Sequence, residues 1–279
     1  MTKQLIKRTA ALAMGFALTA NFAFAGGKTF KQEVAVEEAP PKWWTAQLST
    51  GYDSLYMFRG VNVLRGDKSY GAGIYWDNAN VSFNLTPNDT ITLGAWMGFG
   101  LNNVNYQEFD ASISYTHTFG NLALSGGYTF YDVWSSELYS HELNIGAAYK
   151  FDLGFMTLTP GLRYYYNIGP DSESSGIISA NSSFLLLRVD GAIPVYNKGA
   201  ISINPWVSLG ANFEYNLDAN GNSFNGLNNL ELGLTTVFQI SKYFGISPYV
   251  AFSQVVNSGG LLGTRDSTFW AGAAATLTF

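Results

Sequence analysis

Two histidines, no cysteine and a scatter of single charges are the chemistry that this 279-residue chain offers. A hydrolytic pair needs a hydroxyl within hydrogen-bond reach of an imidazole, most simply His-x-Ser on one strand face. His117 is followed by Thr118 and Phe119, and His141 by Glu142 and Leu143, so neither has serine in that place. Asp132, His141 and Ser136 could meet across neighbouring strands, but no spacing demands it. Two distant histidines without cysteine make a zinc set improbable. Asp218, Asn220 and Asn222 stand at calcium-loop spacing, yet the sixth position lacks glycine and the twelfth is Asn229 instead of glutamate, which leaves an ordinary loop. The run GGLLG at 259–263 precedes no strand-to-helix transition and is not a phosphate loop. No catalytic group, metal set or cofactor is expected.

The charges are more informative. In YDSLYMFRG, residues 52–60, Asp53 and Arg59 interrupt an apolar, aromatic run. Glu108, Asp110, Glu142, Lys150, Arg163, Arg188, Asp190, Glu214 and Glu231 do the same elsewhere, always on the polar parity of an alternating segment. In EFDASISYTHTF (108–119), one face reads Phe109, Ala111, Ile113, Tyr115, Phe119 and the other Glu108, Asp110, Ser112, Ser114, Thr116. Alternation of this length predicts half-buried strands.

Twelve such segments are predicted: 45–60, 70–86, 90–101, 106–119, 121–133, 139–151, 155–167, 181–194, 199–216, 227–240, 244–256 and 268–279. Asp77 falls on the apolar parity of the second. About ten residues cross a membrane as a tilted strand. Tight connections (TPND, GN, DLG, NKG, SKYF) alternate with longer, more polar ones (VNVLRGDKS, NNVN, SSELYS, GPDSESSG, LDANGNSFNG, NSGGLLGTRDS). The expectation is an all-β fold, a transmembrane antiparallel up-and-down barrel of about twelve strands over residues 45–279, with tight turns in the periplasm and long loops outside. No loop looks long enough to fold back into the lumen.

A soluble β-sandwich would show the same alternation. Against it, aromatics on the apolar face gather near strand ends, as two girdles should. Phe83, Phe119, Tyr149, Phe151 and Phe238 lie on the turn side. Tyr56, Phe58, Phe99, Phe109, Phe130, Tyr164, Tyr166, Phe213, Tyr215 and Phe269 lie on the loop side.

The chain is 13% charged with a formal net charge of −5, and no basic block suggests nucleic acid. Lys3, Lys7 and Arg8 precede a short apolar run ending in AFA at 23–25, which reads as a signal peptide over residues 1–25. Residues 26–44 have no strand pattern through Lys42 and read as a periplasmic linker, with Trp43 and Trp44 at the membrane interface.

The ending AGAAATLTF resembles the C-terminal strand of bacterial outer-membrane β-barrel proteins, with Phe279, Leu277, Ala275, Ala273, Ala271 and Phe269 at alternate positions. That likeness implies recognition by the barrel-assembly machinery through Phe279 and Leu277. GYDSLYMFRGV (51–61) looks like the first strand of a family of uncharacterised outer-membrane barrels bearing Tyr-x-Phe-Arg-Gly, matched here by Tyr56, Phe58, Arg59 and Gly60. The resemblance implies a location in the bacterial outer membrane, among its lipid and lipopolysaccharide, and supplies no substrate.

On one strand, Asp53 and Arg59 would both face the lumen, roughly 20 Å apart at about 3.4 Å per residue. Each then needs a partner on another strand, or water. Arg59, Glu108, Asp110, Glu142 and Glu214 should form an acidic upper ring around one arginine, with Glu231 a little lower. Asp53, Arg163, Arg188 and Asp190 should lie nearer the middle. Lumen glycines such as Gly51, Gly98 and Gly233 should offset the bulk of Trp96, Trp206 and Trp270. The expected role is narrow, mildly cation-preferring passage of small hydrophilic solutes. The competing readings are a closed structural or surface-binding barrel and, more remotely, an outer-membrane lipid-modifying enzyme.

Overall fold

The computed structural model describes residues 42–64, 72–102, 105–135, 138–169, 179–196 and 200–279. The sequence-predicted signal segment and most of the linker lie outside these residues. The barrel strands are β1 Trp44–Asp53, β2 Ile74–Asn84, β3 Asp89–Gly100, β4 Gln107–Phe119, β5 Leu122–Val133, β6 Leu138–Tyr149, β7 Thr157–Asn167, β8 Ser182–Tyr196, β9 Ile201–Leu217, β10 Ser223–Gln239, β11 Phe244–Val255 and β12 Ser267–Thr278. Each pairs antiparallel with the next, and β1 closes on β12 with Leu48 opposite Leu277 and Thr50 opposite Ala275. The sheet is a closed twelve-stranded antiparallel barrel. Closure removes the unpaired strand edges that hydrocarbon would not tolerate.

Alternation sorts the two faces as the sequence reading requires. In β4, Glu108, Asp110, Thr116 and Thr118 are buried in the lumen, while Ile113, Tyr115 and Phe119 are exposed on the wall. Leu93, Ile145, Leu187, Leu232 and Val250 are likewise exposed on other strands. Aromatics rim this aliphatic band: Trp43, Phe119, Tyr149 and Phe151 toward the tight turns, and Tyr52, Tyr75, Tyr164 and Phe269 toward the long loops.

Two sequence expectations fail at the loop end. The first strand stops at Asp53, not at residue 60. The chain then turns into the lumen as a small hairpin in which Met57–Phe58 pairs with Val61–Asn62. Tyr56 and Phe58, expected on the membrane face, are 1% and 4% exposed inside the barrel. A period of two is satisfied equally by a lipid-facing strand and by a hairpin tucked into the lumen, so the alternation carried too far. The first loop therefore folds inward over residues 54–64, where no inward loop was expected.

The second failure is a β-bulge. Ser183 pairs with Glu214 but Phe184 pairs with Asn212, so β9 carries one extra residue at that point. Glu214 takes φ 62 there. A bulge reverses the parity beyond it. Tyr215, expected outside, is fully buried in the lumen, and Glu214, expected inside, is exposed.

The glycines do not widen the lumen either. A Cβ on Gly51 would stand 2.3 Å from the Trp76 ring, on Gly98 2.2 Å from Trp96, and on Gly233 2.1 Å from Trp206. Each glycine is a seat for an indole lying flat against the wall. Small and large residues thus interlock to fill space instead of returning it.

Candidate functional site: a plugged lumen

The inward hairpin explains YMFRG residue by residue. Its two central residues, Arg59 (φ 48) and Gly60 (φ 82), both have positive φ, as a two-residue type I′ turn demands. Gly60 is needed twice, since a Cβ there would also meet the Asn229 side chain at 2.4 Å. The Arg59 carbonyl accepts the side-chain amides of Asn228 at 2.9 Å and Asn216 at 3.2 Å. This positions the guanidinium at the hairpin tip, deep among the strands.

There Arg59 meets Glu142 of β6. Its Nη1 donates to Oε2 at 2.5 Å and its Nη2 to Oε1 at 2.8 Å, with both side chains almost wholly buried. The Nη1 also donates to the Tyr215 hydroxyl. Tyr215 and Tyr131 in turn donate to Glu142 at 2.8 and 3.0 Å. Aromatic rings surround the guanidinium, nearest that of Tyr165 at 3.7 Å, then Phe58 and Tyr215, each at 4.7 Å. Such a pair persists in an apolar site only because every carboxylate lone pair finds a donor.

Beside it, Glu108 receives the hydroxyls of Tyr56 at 2.8 Å and Tyr106 at 2.6 Å. The Tyr56 ring stacks on Trp96 at 5.7 Å. The plug and the wall around it form one apolar cluster, with Tyr56, Phe58, Trp76, Trp96, Tyr131, Phe184 and Tyr215 all buried. A second contact ties Val61 to Leu261 and Val255, and the Asn62 amide N–H donates to the Thr264 hydroxyl at 3.0 Å. Glu108, Asp110, Glu142 and Arg59 are thus brought together, but as a sealed cluster and not as a solvated ring.

On the tight-turn side of this seal the lumen is hollow. A polar cavity of about 60 Å³ is roofed by Arg59, Asp110 and Glu142 and walled by residues including Asn80, Ser112, Asn144 and Arg163. Arg163 donates to Asn144 at 3.2 Å and Ser125 at 3.3 Å.

The remaining charges lie apart. Arg188 donates to Asp190 at 2.7 Å on the same strand, and its guanidinium sits 4.2 Å over the Trp206 ring. Glu231 accepts Asn229 at 3.0 Å and Ser208 at 3.4 Å. Asp53 is 1% exposed at the hinge between β1 and the plug, close to Tyr249 and Trp76. By strict geometry, both its carboxylate oxygens lack a hydrogen-bond partner. Asp53 and Arg59 therefore do not share a strand, and only Arg59 found its countercharge on another one.

Sequence reasoning missed Tyr106, Tyr131, Tyr215, Asn216 and Asn228. The usable signal was Phe-Arg-Gly-Val, two apolar residues bracketing a pair suited to a type I′ turn. Nothing local announces Asn216 or Asn228, which matter only because the plug arrives beside them.

Among the described residues, neither histidine is hydrogen-bonded to a serine or threonine hydroxyl. His117 lies 2.6 Å from Asp89, to which Tyr115 also donates, and His141 lies 2.6 Å from the Tyr128 hydroxyl. Ser136 lies outside the described residues. At Asp218 the carboxylate is occupied by the backbone N–H groups of Asn222 at 2.8 Å and Asn220 at 2.9 Å. These bonds hold its carboxyl below the usual carboxylate range.

An apolar wall, two aromatic rims, a polar interior and a closed antiparallel sheet define the fold of an outer-membrane β-barrel. The solved structures agree. An outer membrane channel from Pseudomonas putida F1 matches with a TM-score of 0.55 at 10% identity, over 89% of this chain and 100% of that one. LpxR from Salmonella typhimurium matches at 0.51 and 9% identity, over 84% and 100%. The NanC porin matches at 0.50 and 11% identity, over 84% and 98%. At such identities the likeness is one of fold. No family model and no curated protein matches the sequence.

Proposed function

We propose that the protein is a bacterial outer-membrane channel for small hydrophilic solutes, closed at rest by its own first outer loop. The observation that carries this reading is a hollow polar chamber beneath a plug made of loop, not of strand, and held at its tip by one ion pair. A loop can leave the lumen without breaking the barrel's hydrogen-bond ladder; a strand cannot. Residues 1–25 would direct export and be removed, residues 26–41 would lie in the periplasm, and Leu277 with Phe279 would present the last strand to the assembly machinery. Outer-membrane lipid and lipopolysaccharide would surround the wall.

The same geometry supports mild cation preference in the open state. In the closed state Arg59 offsets the roof carboxylates. Withdrawing the plug withdraws Arg59 and leaves Glu108, Asp110 and Glu142 on the wall, an acidic ring that favours cations. Glu214 takes no part in it.

Planar-bilayer recording of the purified protein in a salt gradient tests this. The wild type should be mostly silent with brief openings, and Arg59→Ala should give discrete, longer-lived steps. Silence of both, with each still folded, would sink the channel. It would favour a closed barrel that acts through its outer loops, the reading to which the tightly filled loop half of the lumen lends weight. A lipid-modifying role has no support from His117 or His141, whose neighbours are Asp89 and Tyr128.

A further inference from the structure

We infer that the roof of the lumen chamber is a binding site for a small monovalent cation, with Asp110 as the carboxylate that receives it. The inference draws on the channel reading for its purpose, since it names the class of solute that the chamber would hold. The site itself stands on an accounting of donors.

Three carboxyl groups meet at the roof with one guanidinium among them. Glu142 takes two N–H groups of Arg59 and the hydroxyls of Tyr131 and Tyr215. Glu108 takes the hydroxyls of Tyr56 and Tyr106. Asp110 is 6% exposed, and its Oδ1 is buried without a hydrogen-bond partner. Its charged neighbours are Glu108, with which it shares a hydrogen bond and so a single proton, and Glu142. This leaves the Asp110–Glu108 pair one negative charge that no guanidinium meets. A buried carboxylate in such company needs a positive charge or a proton to remain there.

The cavity favours the positive charge. Asp110 is in its lining, together with the neutral oxygens of Asn80, Ser112 and Asn144 and the rings of Trp96 and Tyr131. The lining also holds Glu142, whose charge Arg59 already meets, and Arg163, which donates to Asn144 and Ser125. Asp110 is thus the carboxylate to which neither guanidinium donates there. A single positive charge suits it, and aromatic walls suit an alkylammonium in particular. At about 60 Å³ the cavity holds on the order of four to six water-sized centres, which limits the guest to an alkali ion with some water or a very small amine. Arg163, in the same lining, repels any cation that enters, which places the guest at Asp110 and holds occupancy to one.

The test is a titration of the purified protein in detergent, read by tryptophan fluorescence because Trp96 is in the chamber wall. The titrants are methylammonium chloride, potassium chloride and, as an uncharged control, glycerol. The inference requires a saturable change with a cation and none with glycerol, lost in Asp110→Asn and kept in Asp110→Glu. The salt that saturates at the lower concentration distinguishes an amine from an alkali ion as the guest. Equal response in Asp110→Asn, or no saturation by either salt, overturns it. So does a protonated-carboxyl infrared band that disappears in Asp110→Asn and ignores both cations. If Asp110→Asn fails to fold, Asn80→Leu, which narrows the chamber from two strands away beside Ser112, must weaken cation binding. Binding is read with the plug closed and needs no current. A silent barrel that binds methylammonium would defeat the channel and leave the site standing; a conducting barrel without cation binding would do the reverse.

Discussion

Arg59 and Glu142, 83 residues apart in sequence, meet through two parallel N–H···O bonds of 2.5 and 2.8 Å in the middle of a membrane-type barrel. One comes from the tip of a loop and the other from a strand on a different part of the wall, so the bond is a tie between a plug and its housing. Removing either partner leaves a buried charge without compensation, at a cost of about 3–5 kcal/mol. Arg59→Ala and Glu142→Gln should each lower the denaturant midpoint, and the double variant should lose less than the sum of the two. Additive losses would mean that the two residues are not coupled.

The turn at the tip should be as sensitive as the ion pair. Gly60→Ala faces both a positive φ and the Asn229 side chain, which is itself held by Glu231 and Ser253. A loss of about 1–3 kcal/mol is expected, together with more frequent channel openings. Gly120→Ala is the control: Gly120 also has positive φ (+60) but no heavy atom within 4 Å of an added Cβ. It should cost about 1–2 kcal/mol and leave the current unchanged. Equal effects on current would detach the Gly60 turn from gating.

Selectivity should depend on the state of the plug. In Arg59→Ala channels the reversal potential should show cation preference, and adding Glu108→Gln with Asp110→Asn should abolish it. Anion preference in the opened channel would contradict the assignment of the roof carboxylates.

The loop at Asp218 gives a pH dependence that can be read apart from the barrel. Its carboxyl is depressed in the folded loop, chiefly by the Asn222 backbone N–H. The loop's order is therefore present above the ordinary aspartate pKa and is lost as pH falls through the depressed value. Hydrogen exchange at the Asn220 and Asn222 amides, corrected for intrinsic rates, should lose protection over that acidic range. Protection that does not change with pH would show that Asp218 does not hold the loop.

Most of the wall was legible in the sequence, because a lipid face and a wet face impose strict alternation over ten or more residues. Tight and long connections then gave the barrel its two ends. The lumen was legible only as a list of parities. Tyr56 and Phe58 kept the period of two while leaving the wall, and one extra residue at the β9 bulge exchanged Glu214 for Tyr215. Neither event changes local composition. Gly51 and Gly233 read as space because the indoles that cover them, Trp76 and Trp206, come from the paired strand, whereas the cover of Gly98 is Trp96, two residues away on its own strand.

The plug hangs between β1 and β2, yet its contacts come from Glu108 on β4, Glu142 on β6, Tyr215 on β9 and Asn228 on β10. Those strands surround one point only after the sheet has curled, and the seam that completes the curl joins β1, the plug's own strand, to β12. A half-built sheet thus offers Arg59 no enclosed countercharge, and a sealed one without the hairpin leaves Glu142 stranded in an apolar interior. The ion pair is consequently complete only in a barrel that has closed around the tip of its own first hairpin.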